Sequence, residues 1–306
     1  GKRLWSASQF NDYGVCGFRF FAKRLLNLEA VEEPAEGMDA AQHGTLNHAI
    51  LERTYRQIRD QKLAIMPDNL EIALNLFHAA ADDVFANASE ELDFRAGALW
   101  NQEQRVIRRK LEQLIRKDFA AGKENPINKA FKDSPRNPRF LEVPFGTRES
   151  DVPVVMLDLG EGIGPVRILG YIDRIDQQDD GYIVIDYKSG STGIPVSEMA
   201  EGRNFQMLVY LEGVQALLAR QETKANLEGG AFWHITNQKL SGAVRLDEDG
   251  LANINQAKAH LARNIELGRE GDFAVHANKP TNGRCVRYCE FSQLCRMSST
   301  NHHKLT

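Results

Sequence analysis

Apolar residues recur three or four positions apart over most of the first 121 residues of the chain. This spacing places them on one face of a helix, so it predicts helices at 6–28, 38–61, 70–88 and 97–121. Ser6 and Gln9 stand three residues apart at the start of the first helix, as the two members of a capping box do. Gly14 and Gly17 flank Cys16 and predict a break in that helix, because glycine weakens helices.

The hydrophobic period changes to two in the middle of the chain, which indicates strands. We predict strands at 139–145, 152–159, 166–175 and 181–187, and we expect them to form a meander with glycine-containing turns. A helix at 198–219, strands at 230–235 and 242–246, a helix at 251–267 and an irregular tail from 272 follow. This order predicts one α/β domain in which helices flank a mixed, largely antiparallel sheet, with a helical insertion at 53–135.

Composition sets limits on this picture. The 306 residues are 42% hydrophobic, which suffices for one large core. No apolar run reaches the roughly 18–20 residues that cross a bilayer, so we expect a cytoplasmic protein without a membrane partner. The net charge of -4 does not indicate nucleic-acid binding, but a phosphate track needs only a local basic stripe. Composition therefore leaves the partner open.

Two acidic residues and one lysine stand close together on adjacent predicted strands. Asp186 and Lys188 are two positions apart, so both side chains project from one face of their strand, while Ile185 points into the core. We place Asp173 at the end of the preceding strand, which a short turn makes the neighbour. The three polar side chains can therefore converge.

These residue types suit phosphodiester hydrolysis, which needs a hydroxide nucleophile and a group that absorbs negative charge. Asp173 and Asp186 can hold one or two Mg²⁺ or Mn²⁺ ions, which prefer oxygen ligands. Lys188 can orient the attacking water or stabilise the transition state. The alternative is an ordinary ion pair on a strand surface. The apolar strand around Asp186 disfavours that alternative, because burying a charge without a function is costly.

Two predicted helices carry polar residues that can join this site. Gly44 and His48 are four positions apart on one, and Gln206 and Tyr210 are four apart on the other, so each pair shares a helix face. His48 is a candidate metal ligand or phosphate contact. Each residue alone fits an ordinary helix surface. Their order along helix, strand, strand and helix is what indicates a site.

Four cysteines form the second candidate site. Cys16 stands near the start of the chain, and Cys285, Cys289 and Cys295 are clustered near its end. In a cytoplasmic protein such a cluster indicates a metal site more often than disulfides. Four thiolates bind either Zn²⁺ or an iron–sulfur cluster, and zinc sites usually show two Cys-x-x-Cys pairs, which this chain lacks.

The motifs in this order resemble the RecB-like branch of the PD-(D/E)XK nucleases, in particular the C-terminal nuclease domain of AddB-type helicase–nuclease subunits. The likeness extends from Ser6 to Arg296 and includes Cys-Gly-Phe-Arg-Phe-Phe-Ala at 16–22, whose family counterpart is a Cys-Pro-Phe-Arg-Phe-like run. It implies a single domain over 1–306 with a restriction-endonuclease-like core. The helical insertion at 53–135 and a C-terminal Cys-rich, cluster-binding tail at 272–306 complete the expected organisation.

The resemblance also assigns roles to the candidate residues. It implies the catalytic set Asp173, Asp186, Lys188, Gln206 and Tyr210. His48 joins Asp173 and Asp186 as a metal ligand. Glu142 opens the first predicted strand, where the family often has an acidic residue. We rank it below the other candidate site residues, because a glutamate at a strand edge is usually solvated.

In AddB-type proteins one early cysteine and a late trio hold a [4Fe–4S] cluster. The resemblance therefore implies this cluster on Cys16, Cys285, Cys289 and Cys295, with Zn²⁺ less favoured and a structural role for the group. The family trio usually begins Cys-x-x-Cys, whereas three residues separate Cys285 from Cys289 here. An interaction domain held together by zinc is therefore a further alternative.

The implied activity is that of a Mg²⁺- or Mn²⁺-dependent deoxyribonuclease, an exonuclease on single-stranded DNA or duplex ends in DNA repair and recombination. A helicase subunit or domain is an expected partner, because the chain has no Gly-x-x-x-x-Gly-Lys-Ser/Thr motif for ATP hydrolysis. A different class of function stays open, namely a non-catalytic iron–sulfur scaffold that binds DNA without cutting it.

Two groups of basic residues are candidates for phosphate contacts. The first predicted helix carries Arg19, Lys23 and Arg24, and the fourth carries Arg105, Arg108, Arg109, Lys110, Arg116 and Lys117. Both groups also fit a solvated helix face, because acidic residues are interspersed on the fourth helix. The sequence does not decide between these interpretations.

Overall fold

The computed structural model describes residues 3–29, 37–179, 181–221, 226–275 and 289–295. Its strands are β1 Leu4–Ser6, β2 Arg136–Phe145, β3 Val155–Leu157, β4 Val166–Gln178, β5 Gly181–Lys188, β6 Asn226–His234 and β7 Lys239–Arg245. Its helices are α1 Ala7–Val15, α2 Gly17–Phe20, α3 Ala40–Asp60, α4 Leu70–Glu91, α5 Trp100–Asp118, α6 Pro126–Ala130, α7 Val196–Ala200, α8 Gln206–Arg220, α9 Glu248–Glu270 and α10 Ser292–Cys295.

The strands form one mixed sheet in which β4 has the most neighbours. The order is β1-β4-β5-β6-β7, and β2 and β3 also pair with β4. The β1–β4 and β5–β6 pairs are parallel and the others antiparallel. The predicted α/β class, with a mixed, largely antiparallel sheet flanked by helices, is confirmed. The predicted meander is wrong, because β2 and β3 both pair with β4.

Both faces of the sheet are covered, and β5 shows this most clearly. Its residues Ile183, Ile185 and Tyr187 pack in one core with α3, α4 and α5. Tyr182 and Val184 pack in a second core with α8 and α9 on the opposite face. The alternation follows from the period of two in a strand, and it explains why this strand is almost continuously apolar.

Local capping signals set where the site helices begin. Ser6 and Gln9 form the predicted capping box of α1, and Asp39 and Gln42 form another at the start of α3. The predicted break at Cys16 is confirmed, because its backbone is extended between α1 and α2. Five residues in π-helical conformation, Phe21–Leu25, then follow α2.

The helix predicted at 198–219 is two helices, α7 and α8. The chain turns between them at Gly202, whose φ of +75° favours glycine. A side chain there would also collide with His260, since a Cβ would lie 2.6 Å from its Cβ. The turn makes Gln206 the first residue of α8, at the end of the helix nearest the candidate site.

Three helices, α4, α5 and α6, stand between α3 and β2. They occupy the region of the predicted insertion at 53–135, and α3 continues through residue 53 without a break. Within the described residues, no helix has the length and apolar character of a membrane span.

Four charged side chains are fully buried beneath the sheet face that α3 and α5 cover. The Arg174 guanidinium donates to Asp176, with Nε 2.7 Å from Oδ1, and lies 2.8 Å from Asp118. Arg136 donates to Asp176 at 2.6 Å and also to Asp118. Each carboxylate thus has two arginine partners, and the four charges cancel within the group.

Two tyrosines extend this buried charge network to the neighbouring elements. The Tyr55 hydroxyl of α3 donates to Asp118 at 2.6 Å, and the Tyr55 ring centroid lies 3.8 Å from the Arg174 guanidinium carbon. Arg174 also donates to the Tyr187 hydroxyl at 2.8 Å. Burial alone would raise the pKa of Asp118, but the charges of Arg136 and Arg174 lower it, so the carboxylate stays ionised. The network therefore joins α3, α5, β2, β4 and β5.

Replacing Asp118 with alanine tests the network. The variant leaves two buried guanidinium groups without one carboxylate partner, so we expect a loss of about 3–5 kcal/mol in the free energy of unfolding. Chemical denaturation followed by circular dichroism measures it. Asp82→Ala is the matched control, because its exposed ion pair with Arg108 should contribute less than about 1 kcal/mol. Equal losses in the two variants would contradict a stabilising role of the network.

Candidate active site

The β4–β5 ladder stops beside the candidate site. Its last pair joins Arg174 of β4 to Ile185 of β5. Further along β5, the Tyr187 backbone N–H donates to the Asp173 carboxylate at 2.7 Å, so a side chain replaces a strand carbonyl as acceptor. The two strands separate at this point. Our placement of Asp173 at the end of its strand is wrong, because β4 extends beyond it and still pairs with β5.

Asp186 and Lys188 project together, as their spacing predicts. The Lys188 ammonium lies 2.6 Å from Asp186 Oδ2. Asp186 is 2% exposed, whereas the side chain of Lys188 is 25% exposed. The pair is therefore buried at its acidic end and open at its basic end, unlike an ordinary surface ion pair.

Gln206 connects this pair to α8. Its amide nitrogen donates to Asp186 Oδ1 at 2.9 Å and to the Tyr210 hydroxyl at 2.8 Å. Its amide oxygen accepts from the Lys188 ammonium at 2.7 Å. Both ends of the amide are thus engaged, which orients Asp186 and Lys188 relative to each other. The predicted pairing of Gln206 and Tyr210 on one helix face is what the structure shows.

His48, Glu142 and Asp173 form a second group at the site. His48 Nδ1 lies 3.5 Å from an Asp173 oxygen and 3.7 Å from a Glu142 oxygen. One ligand atom from each residue lies within 4.8 Å of the others, a spacing that can hold a metal ion. Among the described residues this is the only such group of three or more histidine, cysteine or acidic side chains. Asp186 stands beside it rather than in it.

The position of Glu142 results from pairing that the sequence does not reveal. Leu141 pairs with Arg174 and Val143 with Ile172, so Glu142 lies opposite Asp173. Its φ is 49°, a left-handed conformation that costs a residue other than glycine about 1–3 kcal/mol. Such strain persists where the surroundings hold it, often at functional sites. From the sequence, Glu142 ranks below the other candidate site residues, and no local sequence signal predicts its left-handed backbone conformation.

Burial and mutual repulsion shape the ionisation of these groups. Burial, and then the charge of Asp173, raises the pKa of Asp186 to about 7. Burial alone would lower the pKa of His48, but hydrogen bonds to Asp173 and Glu142 raise it to about 10. The site therefore concentrates negative charge that a cation can neutralise.

An open cavity of about 440 Å³ gives access to the site. His48 and Glu142 line it, together with Gly44, Thr45, Ala49 and Glu52 on α3. A substrate can therefore approach the His48–Glu142–Asp173 group from solvent along this face of α3.

The cysteine site is only partly within the described residues. Cys16 is 7% exposed, and Cys289 and Cys295 are half-buried, with Cys289 three residues before α10 and Cys295 at the end of that helix. Burial raises the pKa of the Cys289 thiol. Glu290, which follows Cys289, forms ion pairs with Arg19 and Lys23, so the segment after Cys16 lies close to the segment that carries Cys289. Cys285, and the predicted tail apart from 272–275 and 289–295, lie outside the described residues.

Ion pairs occupy much of the basic surface that the sequence indicated. Arg19 and Arg24 both bind Asp12, and Lys23 binds Glu290. The interpretation of this first group as a phosphate track is therefore disfavoured. On α5, Arg108 binds Asp82 and Arg116 binds Glu112.

Comparison with known proteins decides the family. A model of the PD-(D/E)XK nuclease superfamily matches residues 4–296, which is nearly the whole chain. The chain belongs to the PD-(D/E)XK nuclease superfamily. The mixed sheet that carries Asp173, Asp186 and Lys188, with helices on both faces, agrees with the restriction-endonuclease-like fold expected for this superfamily.

Several similar proteins are named as B-type subunits of an ATP-dependent helicase/deoxyribonuclease. The one from Caldanaerobacter subterraneus subsp. tengcongensis is 27% identical over 80% of this chain and 20% of its own length. Those from Symbiobacterium thermophilum and Clostridium novyi are 31% and 24% identical over 70% and 91% of this chain. The chain spans about a fifth of the length of these relatives, namely 18% to 24%. The resemblance to AddB-type proteins is confirmed at this level.

The raised pKa of Asp186 predicts that its negative charge lowers the stability of the protein in the absence of divalent cations. Between pH 3.8 and about 7, the folded state retains a proton on Asp186 that the unfolded state releases. The contribution of this proton to stability is therefore fully present below pH 3.8 and is lost as the pH rises through about 7. Asp186→Asn cannot ionise. We therefore expect it to unfold at a higher denaturant concentration than the parent above pH 7, and at a similar one below 3.8. A gain that does not depend on pH would contradict this origin.

Proposed function

We propose that this chain is a metal-dependent deoxyribonuclease that hydrolyses phosphodiester bonds, acting as an exonuclease on single-stranded DNA or duplex ends in DNA repair and recombination. The observation that carries the proposal is the His48–Glu142–Asp173 group beside the buried Asp186–Lys188 pair. Family membership and the names of the relatives support DNA as the substrate.

The residues present fit Mg²⁺ or Mn²⁺. Glu142 and Asp173 offer the oxygen ligands that these ions prefer, and His48 offers a nitrogen. Asp186 Oδ2 is buried and makes no hydrogen bond among the described residues, although the Lys188 ammonium lies close to it. It can therefore supply a further oxygen. When bound, the ion polarises the phosphate and lowers the pKa of a water molecule.

The remaining residues position groups around the reacting phosphate. Gln206 and Asp186 hold the Lys188 ammonium where the strands separate, so it can orient a water or stabilise negative charge on the phosphate. The Tyr210 hydroxyl accepts from Gln206, which leaves its own hydrogen free to donate. Burial and the charges of Asp186 and Asp173 raise the pKa of Tyr210, so it stays protonated.

Cleavage of labelled DNA tests the nuclease proposal. We expect degradation that needs Mg²⁺ or Mn²⁺, and a loss of at least about 100-fold in Asp186→Ala and in Lys188→Ala, because each removes a group that acts on the transition state. Substrates labelled at the 5′ or the 3′ end report polarity, and a circular substrate distinguishes exonuclease from endonuclease action. Asp82→Ala is the control, since Asp82 lies on the surface of α4.

Unchanged cleavage by the Asp186 and Lys188 variants would overturn the assignment of the site. DNA binding by the parent chain without any metal-dependent cleavage would instead support the non-catalytic scaffold.

We further propose that Cys16, Cys285, Cys289 and Cys295 hold a structural [4Fe–4S] cluster. The ion pairs of Glu290 with Arg19 and Lys23 support this, because they bring the segment after Cys16 close to Cys289, which is far away in the chain. Zinc sites usually carry two Cys-x-x-Cys pairs, which this chain lacks, so the four cysteines favour a cluster over a zinc ion.

Contacts around the cysteines support a structural role for the cluster. Glu290 pairs with Arg19 and Lys23 across the two ends of the described chain. The Tyr13 hydroxyl also donates to the Asp272 carbonyl at 2.7 Å. A cluster at this junction would close a long loop and restrict the unfolded chain.

Metal analysis of the purified protein tests the cluster. We expect a brown protein that contains iron and acid-labile sulfide in equal amounts, and a colourless, less stable Cys16→Ser variant. Thermal unfolding followed by circular dichroism measures the stability. A colourless parent protein that contains zinc would overturn the iron–sulfur assignment.

We also propose that the chain works with a helicase motor that lies outside it. The relatives are named as helicase/deoxyribonuclease subunits, and the chain matches only about a fifth of their length. The chain itself has no ATP-binding motif of the Gly-x-x-x-x-Gly-Lys-Ser/Thr type.

A further inference from the structure

A second cavity lies on the other side of α3 from the one that His48 and Glu142 line. Its volume is about 460 Å³, and α3, α5 and the residues that follow β5 and β6 enclose it. We call it the α3–α5 groove, and its polar lining includes His43, Asn47, Gln102, Lys110, Ser189 and Thr236. This volume lies in the range of sites that hold small organic ligands, about 300–1,000 Å³.

The groove adjoins the candidate active site. Ser189, which lines the groove, directly follows Lys188. Gly44 lines the other cavity one helical turn before His48. A Cβ at Gly44 would meet only Ser189 Oγ, at 3.8 Å, so no side chain of α3 stands between the two cavities at this point. A larger side chain at Gly44 would point toward Ser189, between the two cavities.

The lining offers both polar and apolar contacts to a single nucleotide. Thr236 and Ser189 provide hydroxyl groups, and Asn47 and Gln102 provide amides. Apolar surface comes from Val106 and from Leu99, whose side chain is 66% exposed. A base can pack against such aliphatic surface while the polar groups bind the sugar and phosphate, as in other ligand sites that combine apolar walls with a few polar groups.

Lys110 gives the groove a positive charge. No ion pair engages it within the described residues, in contrast to Arg108 and Arg116 on the same helix. One acidic residue, Glu103, also lines the groove. Its carboxylate lies toward Gly37, with Oε1 3.7 Å from a Cβ built there. Lys110 is therefore available to bind a phosphate, which is the natural partner of a lysine in such a groove.

We propose that the α3–α5 groove binds the nucleotide next to the scissile phosphate. In this arrangement Lys110 contacts the phosphate of that nucleotide, and the base packs against Leu99 and Val106. The inference rests on the proposed nuclease function. A cavity of this size between two helices has room for one nucleic-acid strand. A duplex would not fit, because its second strand would have to occupy the space that the helices fill. The helical segment before β2 thus supplies one wall of a substrate subsite.

Binding of a fluorescein-labelled oligothymidylate tests the groove, with Ca²⁺ in place of Mg²⁺ so that cleavage does not interfere. Fluorescence anisotropy gives the dissociation constant at several salt concentrations. We expect Lys110→Ala to weaken binding about tenfold at low salt, because it removes one charge-assisted contact. It should also reduce the slope of log affinity against log salt by about 0.7, the value for one phosphate of a single strand.

Matched controls come from the same helix. Arg105→Ala removes one positive charge from an exposed residue that does not line the groove. Gln102→Glu places a carboxylate in the groove without changing the size of the side chain, and Asn101→Asp makes the same change at the exposed residue before it. We expect Gln102→Glu to weaken binding several-fold more than Asn101→Asp.

Equal effects of Lys110→Ala and Arg105→Ala on affinity and salt slope would overturn the proposal. If Lys110→Ala weakened the binding of a blunt duplex as much as that of the oligothymidylate, the proposal that the groove binds a single strand would be overturned. The parent protein is assayed for cleavage of the same oligonucleotide with Mn²⁺. Binding that depends on Lys110 without any such cleavage would count against the nuclease function alone.

Discussion

The buried charge network of Asp118, Arg136, Arg174 and Asp176 is the constraint on which the site depends. Arg174 directly follows Asp173 in β4, and its partner Tyr187 directly follows Asp186 in β5. Because side chains alternate along a strand, holding Arg174 and Tyr187 in the network directs the neighbouring carboxylates away from it. The network has no net charge and is fully buried, so it tolerates few alternative arrangements. Charge pairing inside the protein thus sets the geometry of the candidate site residues.

The candidate site residues themselves are held against their own preferences. Asp186 is buried close to Asp173, which raises its pKa to about 7, and Glu142 adopts a left-handed backbone. Both features cost free energy in the metal-free protein, and a bound cation would offset the first. The rest of the fold, with two cores on opposite sides of the sheet, stabilises this arrangement. Under the proposed function, stability and activity are therefore opposed at this site.

In the proposed function, the helices on the two faces of the sheet contribute different groups to the site. On one side, α8 contributes Gln206 and Tyr210, which orient the Asp186–Lys188 pair. On the other, α3 contributes His48, and α5 forms a wall of the groove that leads away from it. The helices before β2 thus serve both the core and the proposed path of the substrate.

The sequence by itself determined most helices and strands and that Asp186 and Lys188 share a strand face and Gln206 and Tyr210 a helix face, because periodicity and spacing are local properties that fix which side chains share a face. It could not show that β2 and β3 both pair with β4, nor that Glu142 faces Asp173. Those features depend on contacts between residues far apart in the chain. Only the tertiary structure decided them, since strand pairing and the balance of buried charges are settled when distant segments pack together.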